Sequence, residues 1–216
     1  GADFNGDGLL DVVRSGGWST VLKSTGDGNF TGFPSSDLQT MGSLSQPNKI
    51  VTGDLDGDGD QDLIITETSR KRLTVFFNSD GNGTFVLGPR LGVDATVFTG
   101  LDLGDIDNDG DVDVFAVGVD GGYLFMNLGN GTFEQFDQVL PIELGKDVSL
   151  GDIDSDGDLD AVIARGEYQK PRTQQLWLNV TSPNANSLFT LETNGTLKTA
   201  TTFDYESNAS SYAIRV

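Results

Sequence analysis

Four short acidic segments hold most of the side chains that could do chemistry. The chain has 216 residues, of which 33 are acidic, and 18 of these acidic residues fall within residues 3–11, 54–62, 105–113 and 152–160. Each segment reads D-x-[DN]-x-D-G-x-x-D. Carboxylates packed this closely repel one another, so we expect a bound cation to neutralise each segment.

The ligand chemistry of these segments favours calcium. Oxygen ligands select a hard cation, and several flexible carboxylates favour Ca²⁺ over Mg²⁺. Positions 1, 3, 5 and 9 would supply side-chain oxygens, and position 7 its backbone carbonyl, as in an EF-hand loop. Leu9 at position 7 supports this assignment, because its side chain carries no oxygen. The sequence predicts about four Ca²⁺ ions, and the expected ligands are Asp3, Asn5, Asp7, Leu9, Asp11, Asp54, Asp56, Asp58, Asp60, Asp62, Asp105, Asp107, Asp109, Asp111, Asp113, Asp152, Asp154, Asp156, Asp158 and Asp160.

Two other interpretations of the segments fit less well. A solvated acidic loop would not recur four times in register. An EF-hand needs flanking helices and a glutamate at position 12, but here that position holds Arg14, Ile65, Ala116 or Ile163. Glycine at the sixth position of every segment instead indicates a tight turn around an ion.

The composition excludes several classes of function. The chain contains no His and no Cys, which removes Ser–His and Cys–His nucleophile pairs, disulfides and iron–sulfur clusters. A net charge of −20 argues against nucleic acid as a partner. No apolar run approaches the roughly 18 residues of a membrane span. The clustered aspartates are used as ligands, so we expect no enzymatic activity. The abrupt start at Gly1 suggests a piece of a longer precursor.

The acidic segments mark an internal repeat. Their starts lie 51, 51 and 47 residues apart, and each is flanked by apolar, β-prone residues and followed by a hairpin signal rich in Gly and Asn. Four-stranded units of this length are typical of propeller blades. We therefore expect an all-β fold: four calcium-loop blades of the β-propeller type, incomplete or open, followed by a short β-rich tail.

The motifs D-x-D-G-D-x-D and N-x-G-N-G-T-F resemble those of the FG-GAP/VCBS repeat family. This family occurs in integrin α-subunit propellers and in many secreted lectin-like and adhesion proteins. The resemblance implies a propeller domain over residues 1–182, with Ca²⁺ in the loop between the first two strands of each blade. Such propellers usually have seven blades, whereas this chain has four loops, and its first repeat begins at the loop itself.

The tail, residues 183–216, departs from the repeat. Its sequence looks like the middle of a cadherin repeat, which implies an ion-binding role for Asp204 and Glu206. Residues 213–216, if followed by Gly1, resemble residues 49–54. The C-terminal strand could therefore complete the first repeat, either in the same chain or head to tail in the next one.

Six N-x-[ST] sequons suggest a glycoprotein, although Asn-Gly-Thr is also common hairpin chemistry. The leading hypothesis is a calcium-stabilised extracellular adhesion or structural module at the cell surface. One form of this hypothesis makes the chain a subunit of a glycosylated surface fibre. Its partners would be proteins or glycans. The alternative is a lectin that stacks sugars on Trp18 or Tyr168, whereas Trp177 aligns with core positions Phe76 and Phe125. The sequons are at Asn29, Asn82, Asn130, Asn179, Asn194 and Asn208.

Overall fold

The computed structural model describes residues 1–14, 19–37, 44, 46–92, 96–136, 140–153, 155–166, 175–179 and 189–190. Within these ranges the chain forms four antiparallel sheets, and we call each sheet with its acidic loop a blade. Blade 1 contains β1 (Val12–Arg14), β2 (Thr20–Ser24) and β3 (Phe30–Asp37), and blade 2 contains β4 (Pro47–Gly53), β5 (Asp62–Glu67), β6 (Arg72–Asn78) and β7 (Phe85–Leu91). Blade 3 contains β8 (Phe98–Gly104), β9 (Asp113–Gly118), β10 (Gly122–Asn127) and β11 (Phe133–Gln135), and blade 4 contains β12 (Gly145–Gly151), β13 (Asp160–Arg165), β14 (Gln175–Asn179) and β15 (Phe189–Thr190).

The strands of each blade follow one another in chain order as a meander. In blades 2, 3 and 4 the acidic loop joins the first strand to the second, as expected. None of the described sheets closes on itself, so the predicted all-β, open repeat architecture is confirmed. A single 3₁₀ turn, Thr68–Arg70, is the only helical element among the described residues.

The second strands of the central blades are buried on both faces because a blade packs on either side. All six residues of β5 and of β9 are buried. Leu63 and Ile65 pack towards blade 1, whereas Ile64 between them packs towards blade 3. Alternate residues of a strand point to opposite faces, so sandwiched strands become continuous apolar runs. Burial of each such side chain contributes roughly 1.5–3 kcal/mol.

The first strands of blades 2 and 4 approach each other across blade 3. Lys49 Nζ in β4 lies 2.8 Å from both carboxylate oxygens of Asp147 in β12. Gly100 in β8 lies beneath this pair, where an added Cβ would come 2.5 Å from the Asp147 Cα. The first strands therefore converge, which is the arrangement of a propeller-type array.

The register of blade 4 matches that of the central blades. Trp177 pairs with Ala161 as Phe76 pairs with Leu63 and as Phe125 pairs with Val114. The sequence alignment of these positions is thus confirmed at the level of the backbone.

The sequence-based boundary at residue 182 assigns Phe189–Thr190 to the tail. In the structure these two residues form β15, which pairs with β14 as the fourth strand of blade 4. The free edge of β14 takes up the next β-prone segment along the chain, after a stretch of turn-forming residues. Among the described residues, none belongs to a helix long and apolar enough to cross a membrane.

Candidate metal centre

The first aspartate of each acidic loop holds the loop backbone in a tight wrap. Its carboxylate accepts the N–H of the sixth-position glycine at 2.7–3.2 Å in all four loops. That glycine has a φ between +82° and +98°, a conformation that residues with a Cβ rarely adopt. The predicted glycine turn is therefore confirmed, and it lies at Gly8, Gly59, Gly110 and Gly157.

In loops 2 and 3, the aspartates at positions 1, 3 and 5 converge. Carboxylate oxygens of Asp54, Asp56 and Asp58 all lie within 4.8 Å of one another, and the same holds for the corresponding triad of the third loop, which is formed by Asp105, Asp107 and Asp109. Three converging carboxylates form a donor set that suits a hard divalent cation.

The aspartate at position 3 of each triad lies where a negative charge is costly. Asp56 Oδ1 is buried and has no hydrogen-bond partner. Burial and then the neighbouring Asp58 raise the pKa of Asp56 above its usual range. Burial and then Asp109 do the same to the pKa of Asp107. An unsatisfied buried carboxylate oxygen is costly, so the triads fit a bound metal ion.

We call the aspartate at position 9 of each loop the brace, and in loops 2 and 3 it ties the start of the loop to the end of the third strand. Asp62 is fully buried, and its two oxygens accept the N–H groups of Leu55 at 2.8 Å and of Asn78 at 2.7 Å. Asp113 is equally buried, and bonds of 2.9 and 2.8 Å hold it in the same way. Burial raises the pKa of both aspartates to about 6. Neither belongs to the 4.8 Å triads, but each oxygen has another lone pair, so ligation by Asp62 and Asp113 stays a prediction.

Loop 1 has the same backbone frame with a weaker set of charges. Asn5 at position 3 accepts the Asp7 N–H at 3.0 Å, and its buried Nδ2 has no partner. Lys23 Nζ lies 3.0 Å from Asp7 Oδ2. Hydrogen bonding to Lys23 and then to the Leu9 N–H lowers the pKa of Asp7. Asp11 is buried in the manner of Asp62.

Loop 4 preserves the wrap through Asp152 and the brace through Asp160. Asp152 accepts the N–H of Asp156 at 3.1 Å, and Asp160 accepts the N–H of Ile153 at 2.9 Å. The third-position residue, Asp154, lies outside the described residues.

The seventh-position side chains lie against the hairpin turns of their own blades. An added Cβ at Gly81 would come 2.6 Å from Asp60 Oδ2, and one at Gly129 would come 2.6 Å from Asp111 Oδ2. Both glycines also have a positive φ. In loop 4, Asp158 Oδ1 instead accepts a hydrogen bond from Asn108 of loop 3 at 2.6 Å.

Two buried residues that the sequence interpretation did not single out contact the loops. The Asn78 side chain donates to the Phe4 carbonyl of loop 1, and the Asn127 side chain donates to the Leu55 carbonyl of loop 2, both at 2.9 Å. An asparagine that ends the third strand of blades 2, 3 and 4 was the available signal, but Asn also suits the start of a hairpin turn.

The described glycosylation candidates fall into two structural positions. Asn29, Asn82 and Asn130 are exposed on the hairpin turns between the third and fourth strands. Asn179 ends β14, at the strand position of Asn78 and Asn127. Candidates outside the described residues are Asn194, Asn208, Asp204, Glu206, Trp18 and Tyr168.

A family model described as FG-GAP-like repeat matches residues 3–65, 54–116 and 105–163. Each match begins at the first aspartate of one acidic loop and ends just beyond the next loop. No curated protein is similar enough to count as a match. FG-GAP-like repeats commonly bind Ca²⁺ and are typical of extracellular proteins. The three matches together cover most of the chain, which therefore belongs to the FG-GAP-like repeat family.

Proposed function

We propose that this chain is a calcium-stabilised extracellular adhesion or structural module. The family fits an extracellular, adhesion-type module in general terms, and the proposal adds calcium as the ion that stabilises the blades. The ions would be held by the first, third and fifth side chains of each loop and would neutralise their mutual repulsion.

The observation that carries the proposal is the buried Asp56 Oδ1 without a partner, inside a triad of carboxylates. The triad belongs to a loop whose ends form adjacent strands of blade 2, so an ion there would tie β4 to β5. Calcium at extracellular, millimolar concentrations would keep loops of this kind filled.

We propose a binding role and not a catalytic one. The carboxylates of each triad point at one another within a single tight loop, where an ion would use them. The remaining buried aspartates are occupied by backbone N–H groups. Neither arrangement supplies an acid and a base on opposite sides of a substrate.

Assembly into a fibre is the finer part of the proposal. In the described part of blade 1, β1 is an edge strand, whereas its counterpart in blade 2, β5, pairs with a further strand, β4. The resemblance of residues 213–216 to the end of β4 supports the C-terminal segment as the strand that pairs there. We favour the segment of the next chain slightly, because four units and a tail that departs from the repeat suit a closed ring poorly. Deletion of residues 212–216 should abolish higher oligomers in sedimentation velocity, and a truncated chain that still assembles would contradict this.

Calorimetric titration with Ca²⁺ tests the ion-binding role. We expect the wild-type chain to bind calcium and the Asp58→Ala variant to lose one site. Asp80→Ala is a matched control, because Asp80 is an exposed aspartate on the hairpin turn of the same blade. Equal binding by the Asp58→Ala and Asp80→Ala variants would contradict the assignment.

A further inference from the structure

Asn127 is a buried side chain that contacts two neighbouring loops at once. Only 4% of its surface is exposed. Its Nδ2 donates to the carbonyl oxygen of Leu55 in loop 2 at 2.9 Å and to that of Val112 in loop 3 at 3.1 Å. Its Oδ1 accepts the N–H of Gly129 at 3.2 Å, so the amide is oriented by bonds at both ends.

Asn78 repeats this arrangement one blade earlier. Its Nδ2 donates to the carbonyl oxygen of Phe4 in loop 1 at 2.9 Å, and its Oδ1 accepts the N–H of Gly83 at 3.0 Å. Only 1% of Asn78 is exposed. The same bridge therefore joins blade 2 to blade 1 and blade 3 to blade 2.

The bridge meets each loop at its second residue, between the first and third ligand positions. Leu55 donates its N–H to Asp62, the brace of its own loop, and its carbonyl accepts from Asn127 of the next blade. The Leu55 side chain is fully buried between blades 2 and 3. The backbone between Asp54 and Asp56 is thus restrained through the N–H, the carbonyl and the side chain of Leu55.

These hydrogen bonds link loop 3 to loop 2 and loop 2 to loop 1. The backbone N–H of Asn127 donates to Asp113, the brace of loop 3, while the side chain of Asn127 reaches loop 2. The N–H of Asn78 donates to Asp62, the brace of loop 2, while its side chain reaches loop 1. Each asparagine therefore joins the brace of its own loop to the ligand-bearing peptide of the preceding loop.

We propose that Asn78 and Asn127 are positioning residues that couple the ion sites of neighbouring blades. The proposal rests on the calcium-binding role argued above. Without an ion the first and third carboxylates repel each other, and the bridge restrains the peptide between them in the shape that binds an ion. Ion binding and the hydrogen bond order the same segment, so each lowers the cost of the other. Occupancy of loop 3 then raises the affinity of loop 2, occupancy of loop 2 raises that of loop 1, and each effect acts equally in the opposite direction.

Blade 1 shows a residue that keeps the brace and lacks the bridge. Ser24 takes the place of the asparagine there, and its N–H still donates to Asp11 Oδ1 at 2.8 Å. The brace of a blade's own loop thus needs only the backbone, whereas the bridge needs the longer amide. Asn127→Ser and Asn78→Ser copy a residue that this fold already accepts at the same position.

The test is a set of calcium titrations by calorimetry on the full chain. We expect Asn127→Ser to weaken loop 2 by about three- to tenfold, the effect of one lost buried hydrogen bond, and to weaken loop 3 less. The effect should disappear in an Asp58→Ala background, where loop 2 is already empty, and persist in an Asp3→Ala background, where loop 1 is empty. Asn78→Ser should weaken loop 1 in the same manner. Asn130→Ser, on the exposed hairpin of blade 3, is the matched control and should change no site.

Asp109→Ala provides a second measurement that leaves both asparagines in place. Emptying loop 3 should lower the affinity of loop 2, and this loss should shrink when Asn127→Ser is also present, since coupled changes are not additive. Additive effects, or an Asn127→Ser variant whose loop 2 binds calcium like wild type, would overturn the proposed coupling but not the proposed calcium sites. A wild-type chain that binds no calcium would overturn the proposed function and this proposal with it.

Discussion

Lys23 Nζ lies 3.0 Å from Asp7 Oδ2, which places an ammonium group on the fifth-position carboxylate of loop 1. The same strand position is occupied by Phe77 in blade 2 and by Met126 in blade 3. Loop 1 also has an asparagine at position 3 in place of an aspartate. Both differences reduce the negative charge available to an ion, so loop 1 should be the weakest of the calcium sites.

Replacement of Lys23 by methionine, the residue of blade 3, should strengthen this site. Removal of a competing ion pair at a partly exposed position is expected to raise the affinity of loop 1 by up to about fivefold. Calorimetric titration should show the weakest binding phase shifting to lower calcium concentration. Lys49→Met is the matched control, because Lys49 pairs with Asp147 away from the loops. A weakest phase that does not move, or that moves equally in both variants, would count against the idea.

Chelation should lower the melting temperature of the wild-type chain. A ligand that binds only the folded state stabilises it by about 2.7 kcal/mol per site at a hundredfold excess over Kd. For a chain of this size, one such site corresponds to a shift of roughly 5–10 °C. Thermal unfolding in EDTA, compared with millimolar Ca²⁺, should show at least this difference. Identical melting curves would mean that ions do not contribute to stability.

Calcium-free protein should lose stability as the pH rises from about 4 to 6. Burial raises the pKa of Asp62 and Asp113 to about 6, from an ordinary 3.8. The folded chain then binds these protons more tightly than the unfolded chain, so the contribution to stability is complete below the unfolded pKa and is lost as the pH passes the folded pKa. Urea unfolding of calcium-free protein across this range provides the measurement.

Saturating calcium should reverse this pH dependence, because ions bind the ionised carboxylates. An Asp62→Asn variant should flatten part of the calcium-free slope, since one of the aspartates with a raised pKa is gone. A calcium-free stability that climbs between pH 4 and 6 would be inconsistent with the burial of these aspartates.

The hairpin glycines of blades 1 and 2 separate backbone strain from close packing. Gly28 and Gly81 both have a positive φ, but an added Cβ at Gly28 meets nothing within 4 Å, whereas one at Gly81 would collide with Asp60. Gly28→Ala should therefore cost about 1 kcal/mol from the backbone alone. Gly81→Ala should cost more and should also weaken calcium binding in loop 2. Equal losses in urea unfolding for the two variants would show that the contact with Asp60 has no energetic consequence.

Glycans should attach to the exposed hairpin asparagines and avoid the strand end. When the chain is secreted from a eukaryotic cell, we expect occupancy at Asn82 and Asn130. Asn179 should remain unmodified, because its strand position is that of the buried Asn78 and Asn127. Mass spectrometry of glycopeptides can locate the sugars. A glycan at Asn179, or bare side chains at both Asn82 and Asn130, would refute this distinction.

The strands, the loops and the glycine turns could be predicted from the sequence because each depends on local pattern. Continuous apolar, β-prone runs define β5 and β9, and a sixth-position glycine is needed wherever the loop turns through positive φ. The bridging role of Asn127 could not be predicted in this way, since it depends on which blade packs above the loop. The membership of β15 in blade 4 depended on a free strand edge, which no sequence pattern reveals.

Anomalous diffraction from crystals grown in calcium tests the central claim most directly. The account predicts a calcium peak among Asp54, Asp56 and Asp58 and another among Asp105, Asp107 and Asp109, each at about 2.3–2.6 Å from its ligand oxygens. Peaks should also appear in loops 1 and 4, with the lowest occupancy in loop 1. A well-ordered structure grown in millimolar calcium with no peak in either triad would contradict the account.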